Sequence, residues 1–169
     1  MKHNRFLLQK GLCMRVLIVS DTHGNVDDVI RLIDTVPFDA VIHLGDYIKD
    51  AEKLKKIYKD IDFYKVSGNN DYSIVPKEDV ISVGGIKIFI CHGHQYMSDT
   101  GLMRMMYKAK EAGATLCLFG HTHEKFKEEM DGVTFFNPGS PTKPRDYTRS
   151  VGILEIEDDY LGICHYEIK

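Results

Sequence analysis

The chain has 169 residues and a formal net charge of -3 at pH 7. That length suits one domain with a substantial core and is short for two. The charge balance gives no basic field to hold nucleic acid by its phosphates, so nucleic acid enters only as a possible substrate. No apolar run approaches the roughly 20 residues that a membrane span needs, and no membrane partner is expected. Residues 1–13 lack the apolar core and small-residue cleavage site of a secretory signal. They are read as an extension of no assigned function ahead of a domain at 14–169. Cys13, Cys91, Cys117 and Cys164 form no CxxC pair. Free thiols in a reducing cytoplasm are therefore expected, not disulfides or a thiolate zinc site.

Taken in chain order, residues 15–19 read as a buried strand. Val26 to Ile33 has helical spacing, with Asn25 as the N-cap. Residues 40–44 form a second buried strand, 50–58 a second amphipathic helix and 62–66 a third strand. This order predicts a parallel sheet with helices packed on it. The Lys-rich run from Lys49 to Lys59, with Asp50, Glu52 and Asp60, reads as the solvated face of the second helix.

The pattern then changes. Residues 79–83 and 86–91 flank Gly84-Gly85, a hairpin signal. Leu102 to Ala112 is helical and closed by Gly113. Residues 115–119 are another buried strand. A second hairpin turns at Asp131-Gly132 between 125–130 and 133–136. A third turns at Asp158-Asp159 between 150–157 and 160–168. The fold class is α/β: two packed mixed β-sheets flanked by helices. The Met-rich helix and the final hairpin offer apolar surface to a second copy, so a homo-oligomer is compatible with the sequence.

Five short polar motifs each follow an apolar strand run. They are Ser20-Asp21-Thr22-His23-Gly24-Asn25, Gly45-Asp46, Gly68-Asn69-Asn70-Asp71, His92-Gly93-His94 and Gly120-His121-Thr122-His123. Residues at strand C-terminal ends of an α/β sheet point into one crevice. Carboxylate, amide carbonyl and imidazole are donors to divalent metals. Asp-x-His and His-x-His put alternate side chains on one side of an extended segment. Such a donor set is too large for one tetrahedral ion and suits two ions roughly 3.5–4 Å apart with a shared carboxylate. Taken singly, each motif could be only a cap, a turn or a hydrogen-bonded histidine. Their joint occurrence, with five of the eight histidines inside them, favours a metal site.

The series D-x-H-G-N, G-D, G-N-x-D, H-G-H, G-H-T-H and N-P-G-S resembles the calcineurin-like metallophosphoesterase superfamily, in its small single-domain phosphodiesterase branch. The resemblance runs from Met14 to about Arg149. It implies a four-layer sandwich and a metal-dependent phosphoric diester hydrolase acting on a small phosphodiester. It implies Asp21, His23 and His123 as ligands of a first metal, Asp46 as the bridging carboxylate, and Asn69, His92 and His121 as ligands of a second. Two divalent ions are the expected cofactors. Manganese ranks first, and nickel, iron and zinc also suit these donors. A bridging water deprotonated to hydroxide would attack phosphorus in line. The loop Asn137-Pro138-Gly139-Ser140 is expected to be structural.

One position departs from the family pattern. Many members carry a histidine after the asparagine of G-N-H-[DE], where it is thought to protonate the leaving group. Here the residue is Asn70, which cannot act as a general acid. His94 is the substitute proton donor or an orienting residue, and Asp71 hydrogen-bonds within the site to orient a neighbour. Tyr96, Met97, Met103, Met106 and Tyr107 are read as helix core. Arg145 and Arg149 furnish the loop beside the site. A phosphomonoesterase on the same site and a non-catalytic scaffold remain as alternatives. The superfamily's retromer scaffold subunit resembles the chain in length, but it carries a degraded ligand set.

Overall fold

The computed structural model describes residues 13–158 and 160–169. Segment 1–12 and Asp159, one of the two residues expected to turn the third hairpin, lie outside the described residues.

The first half runs β1 (Met14–Val19), α1 (Asp27–Thr35), β2 (Ala40–His43), α2 (Ile48–Ile57) and β3 (Asp62–Lys65). The second half runs β4 (Glu78–Val83), β5 (Ile86–Cys91), a 3-10 turn at His94–Tyr96, α3 (Gly101–Glu111), β6 (Leu116–Leu118), β7 (Lys125–Met130), β8 (Val133–Pro138), β9 (Ser150–Glu157) and β10 (Tyr160–Glu167). One five-stranded sheet has the order β10-β9-β1-β2-β3 and the other β4-β5-β6-β8-β7. β1, β2 and β3 pair in parallel, as the helix-strand alternation predicts. β9 pairs antiparallel with β1 and carries the C-terminal hairpin into this first sheet. The second sheet is more than hairpins, because β5, β6 and β8 are parallel, with α3 crossing over between β5 and β6.

Side-chain alternation along the strands builds the layers. Val16 and Ile18 of β1 face the second sheet and join Ile42, Ile88, Ile90, Leu118 and Phe136 in the inter-sheet core. Leu17 and Val19 face the other way and pack with Val29, Leu32 and Ile33 of α1 and Leu54 of α2. On the far side of the second sheet, Phe89, Cys91, Cys117 and Phe135 pack with Met105, Met106 and Ala109 of α3. The central strands are buried on both faces, which is why they read as continuous apolar runs. The result is helix, sheet, sheet, helix.

Several element boundaries differ from expectation. Val26, not Asn25, takes the N-cap position of α1, and the Asn25 Oδ1 instead accepts the Asp27 N–H at 3.0 Å. α2 begins two residues early, at Ile48, because the Asp71 carboxylate reaches in to accept the Ile48 N–H at 2.8 Å. Asp50 does not lie on the solvated face of α2 but is buried, while Lys49, Lys53, Lys55, Lys56 and Lys59 are exposed as expected. The buried side of α3 is Met105, Met106 and Ala109 with Leu102 packed against them, an i, i+3, i+4, i+7 stripe. Met103 and Tyr107 fall off that stripe and are exposed, as is Met97 before the helix, so these three are not core. Tyr96 and Met106 are buried as expected. All four cysteines are free, Cys91 and Cys117 buried, Cys13 and Cys164 exposed. Among the described residues, no helix is long and apolar enough to cross a membrane.

Candidate metal centre

The ends of β1, β2, β3, β5 and β6 all open onto one edge of the sandwich. Each polar motif begins within a few residues of its strand end. Asp21, His23, Asp46 and His123 each bring one donor atom, and these four atoms lie within 4.8 Å of one another. His23 Nε2 is 3.2 Å from His123 Nε2 and 3.8 Å from Asp46 Oδ2. His123 Nε2 is 3.2 Å from Asp21 Oδ1. Beside them, His92 Nε2 is 3.3 Å from Asp46 Oδ1 and 3.2 Å from Asn69 Oδ1. The His121 ring stands 5.2 Å from that of His92, centroid to centroid. The seven residues named as ligands are thus brought together around Asp46.

Close approach of the strand ends depends on bare backbone. A Cβ on Gly68 would sit 2.1 Å from Asp46 Oδ1, and one on Gly120 would sit 1.9 Å from Ser20 Oγ. A side chain at either position would push two donor loops apart.

The donors are held from behind. His92 Nδ1 is hydrogen-bonded to the Leu44 carbonyl and His123 Nδ1 to the Lys143 carbonyl, each at 2.7 Å. A carbonyl only accepts, so both rings carry the proton on Nδ1 and turn Nε2 inward, the usual arrangement behind a metal-ligating imidazole. Asn70 donates its backbone N–H to Asp46 Oδ1 at 3.0 Å and its side-chain amide to Asp46 Oδ2. Asp21 Oδ2 accepts from Ser20 Oγ and from the His121 N–H. Burial pushes the Asp21 carboxyl up, but the imidazoles of His123 and His92 and the Ser20 hydroxyl outweigh it and hold the group below its usual range. Burial, reinforced by neighbouring imidazoles, lowers His23, His94 and His121. His123 is raised by the Asp21 carboxylate beside it. Neutral imidazole and ionised carboxylate are the forms that bind metal.

The arrangement fits a cation. Asp21 Oδ1 is fully buried and accepts no hydrogen bond. An orphaned buried carboxylate oxygen is costly, roughly 1–3 kcal/mol or more for a charged group. Two imidazole nitrogens facing each other at 3.2 Å call for a proton or a metal between them.

The other expected site residues fall out differently. Both oxygens of Asp71 are engaged by backbone, Oδ1 by Ile48 N–H and Oδ2 by Gly68 N–H at 2.8 Å each, so Asp71 ties the Asn69 loop to the start of α2. His94 stands beside His92 and His121, with ring centroids 5.4 and 6.1 Å away, and its Nδ1 is buried without a partner. Asn137 Nδ2 donates to the Gly120 carbonyl, and Ser140 Oγ donates to the Asp21 carbonyl, so Asn137-Pro138-Gly139-Ser140 fastens two donor loops together. Arg145 is exposed, with its backbone N–H on the His123 carbonyl. Arg149 pairs with Asp28 at the start of α1.

Sequence reasoning missed a buried relay. Gly45 N–H donates to His43 Nδ1 at 3.2 Å, which leaves the His43 proton on Nε2. That nitrogen lies 3.1 Å from Thr22 Oγ1, and the Thr22 hydroxyl donates to Asp50 Oδ2 at 2.6 Å. Asp50 also accepts the Gly24 N–H. The relay fixes the Asp21-to-Gly24 turn from beneath. Its only trace in sequence is one histidine in an apolar strand and one aspartate four residues after Asp46.

Residues 14–159 match the family model described as the calcineurin-like phosphoesterase superfamily domain. The chain belongs to that superfamily. It is 33% identical over 159 residues to YsnB of Bacillus subtilis, named a probable metallophosphoesterase, covering 91% of each chain. It is 28% identical over 171 residues to the phosphodiesterase MJ0936 of Methanocaldococcus jannaschii, covering 85% of this chain and 94% of the relative. Among solved structures, it matches a Streptococcus pneumoniae protein described as a predicted phosphoesterase with a TM-score of 0.76 and 27% identity, over 92% of this chain and 90% of that one. The fold and the superfamily expected from the motifs are both found. The superfamily is one of metal-dependent hydrolases, and a candidate metal site is present in this member.

Proposed function

We propose that the chain is a metal-dependent phosphodiesterase with a dinuclear centre. The observation that carries this reading is the convergence of Asp21, His23, Asp46 and His123 within 4.8 Å, continued on the other side of Asp46 by Asn69, His92 and His121. Asp21, His23 and His123 would hold one ion, Asn69, His92 and His121 the other, and Asp46 would be shared. Ions bound there would supply a water of lowered pKa and positive charge against the phosphate oxygens. The choice of diester over monoester is supported by the relative named a phosphodiesterase. Manganese, nickel, iron and zinc all suit this mixture of carboxylate, amide and imidazole donors, and manganese is the one to test first.

The chain's own residues orient and shield. Asn70 fixes the carboxylate plane of Asp46 through two donated hydrogen bonds. The Leu44 and Lys143 carbonyls keep His92 and His123 in one tautomer. His94, beside the second group of donors, is placed to give a proton to the leaving-group oxygen. Burial lowers its imidazole below the ordinary value, so the protonated form that can donate is scarcer near neutral pH and is the stronger acid for it.

The test is hydrolysis of bis(p-nitrophenyl) phosphate by metal-stripped protein, with Mn²⁺, Ni²⁺, Zn²⁺ and Mg²⁺ added back separately and Asp46→Asn as the control. Metal-dependent turnover that the control loses supports the reading. Tight metal binding with no turnover of any diester would sink it. p-Nitrophenyl phosphate run in parallel separates diesterase from monoesterase.

A further inference from the structure

Positive φ at a non-glycine residue is uncommon and is a genuine outlier for a bulky one. Among the described residues, Asp21, His23, Asp46, Tyr47, His121 and His123 share this conformation at the site. Five of the six offer a donor atom to a cation. Tyr47, at φ 71, does not. Such strain persists where the surroundings over-determine it, and it collects at functional positions. As the N-cap of α2, Tyr47 contributes only its backbone carbonyl, which accepts the Asp50 N–H. Asn or Gly would hold that turn with less strain.

The ring is where Tyr47 differs from Asn or Gly. It stands edge-on to His23, 5.4 Å between centroids and 62° between planes. It lies over the bare Gly24, where an added Cβ would come 3.6 Å from Tyr47 Cε1. It is 43% exposed, and among the described residues nothing takes its hydroxyl. A half-open aromatic ring is thus fixed against a donor histidine, at the mouth of the site.

We propose that Tyr47 is a specificity residue: its ring forms the wall that receives a flat aromatic substituent of the phosphoester. The substrate class is then a phosphodiester bearing an aryl or base ring on the His23 side, in preference to small alkyl diesters. This inference rests on the phosphodiesterase reading above for its chemistry, but its binding arm does not need turnover.

The experiment titrates phenylphosphonate and methylphosphonate into manganese-loaded wild type, Tyr47→Phe and Tyr47→Asn by calorimetry. Asn suits the left-handed backbone, so its variant should fold. An aromatic contact corresponds to about 3- to 10-fold in affinity. Tyr47→Asn should lose that factor for phenylphosphonate and change by less than about twofold for methylphosphonate, with Tyr47→Phe close to wild type. The KM ratio for bis(p-nitrophenyl) against dimethyl phosphate should narrow by the same factor. Equal losses for both phosphonates, or none, would overturn the assignment while leaving wild-type diester turnover intact. Wild type that shows the phenyl preference but turns over no diester would sink the hydrolase reading and leave ring recognition standing.

Discussion

Lowering the pH of the metal-free protein from about 7.5 to about 5 should weaken its fold by roughly 2 kcal/mol through His43 alone. His43 is fully buried beneath the Asp21 turn, and burial pushes its imidazole from the ordinary 6.5 down to about 4. Over that interval the unfolded chain binds a proton that the folded chain refuses, so stability rises with pH. The contribution is fully present above 6.5 and is lost as the pH falls towards 4. Its full size is on the order of 3 kcal/mol. His23, His94, His121 and His165 are also lowered by burial and add slope of the same sign, while His123 is raised and opposes it. The measurement is therefore a difference. Urea midpoints with EDTA are taken across the range for wild type and His43→Gln, whose amide can still accept from Gly45 and donate to Thr22. The wild type should lose roughly 2 kcal/mol more than the variant, or about 4–8 °C more in Tm for a chain of this size. Parallel pH profiles would refute the reasoning, because they would mean that His43 keeps its proton in the fold, facing Asp50 through Thr22.

Two further changes probe how the donor loops are held. Asp71→Ala removes the acceptor for two backbone N–H groups at once and should cost about 1–3 kcal/mol by urea unfolding, with Asp71→Asn recovering part of it. No loss would mean that α2 begins at Ile48 without help. Gly120→Ala would drive a methyl group into Ser20 and Asp21, whereas Gly85→Ala meets nothing within 4 Å. The first should lower divalent-metal affinity at least about tenfold and destabilise the fold by roughly 2 kcal/mol or more, and the second should cost only about 1 kcal/mol of backbone strain. Equal Tm values for the two variants would remove close approach as the reason for Gly120.

Most of the fold was legible because its signals are local. Buried parallel strands advertise themselves as apolar runs, and Gly84-Gly85 and Asp131-Gly132 set their hairpins two residues wide. The candidate donor residues stand out in the sequence for a related reason: each sits where an apolar run stops. What stayed hidden is made by distant partners. The start of α2 depends on a carboxylate 23 residues downstream. The inward turn of Asp50 depends on Thr22 and Gly24, 28 and 26 residues upstream. The parallel pairing of β6 with β8 joins strands that sequence spacing presents as neighbours of a hairpin. Met103 and Tyr107 were misread because their residue type outweighed their position on the helical wheel.

The left-handed backbone at Asp21, His23, Asp46, His121 and His123 also governs how this site can be taken apart. Alanine at those positions would remove a donor and add conformational strain together, so a lost activity would report two injuries as one. Asparagine is at home in that conformation, and at Asp21 and Asp46 it also keeps the shape of the side chain. A relative that does not bind metal would face the same restriction. Its drift at these positions would run through asparagine, aspartate and glycine, leaving the outline of a metal pocket in a protein that no longer bound metal.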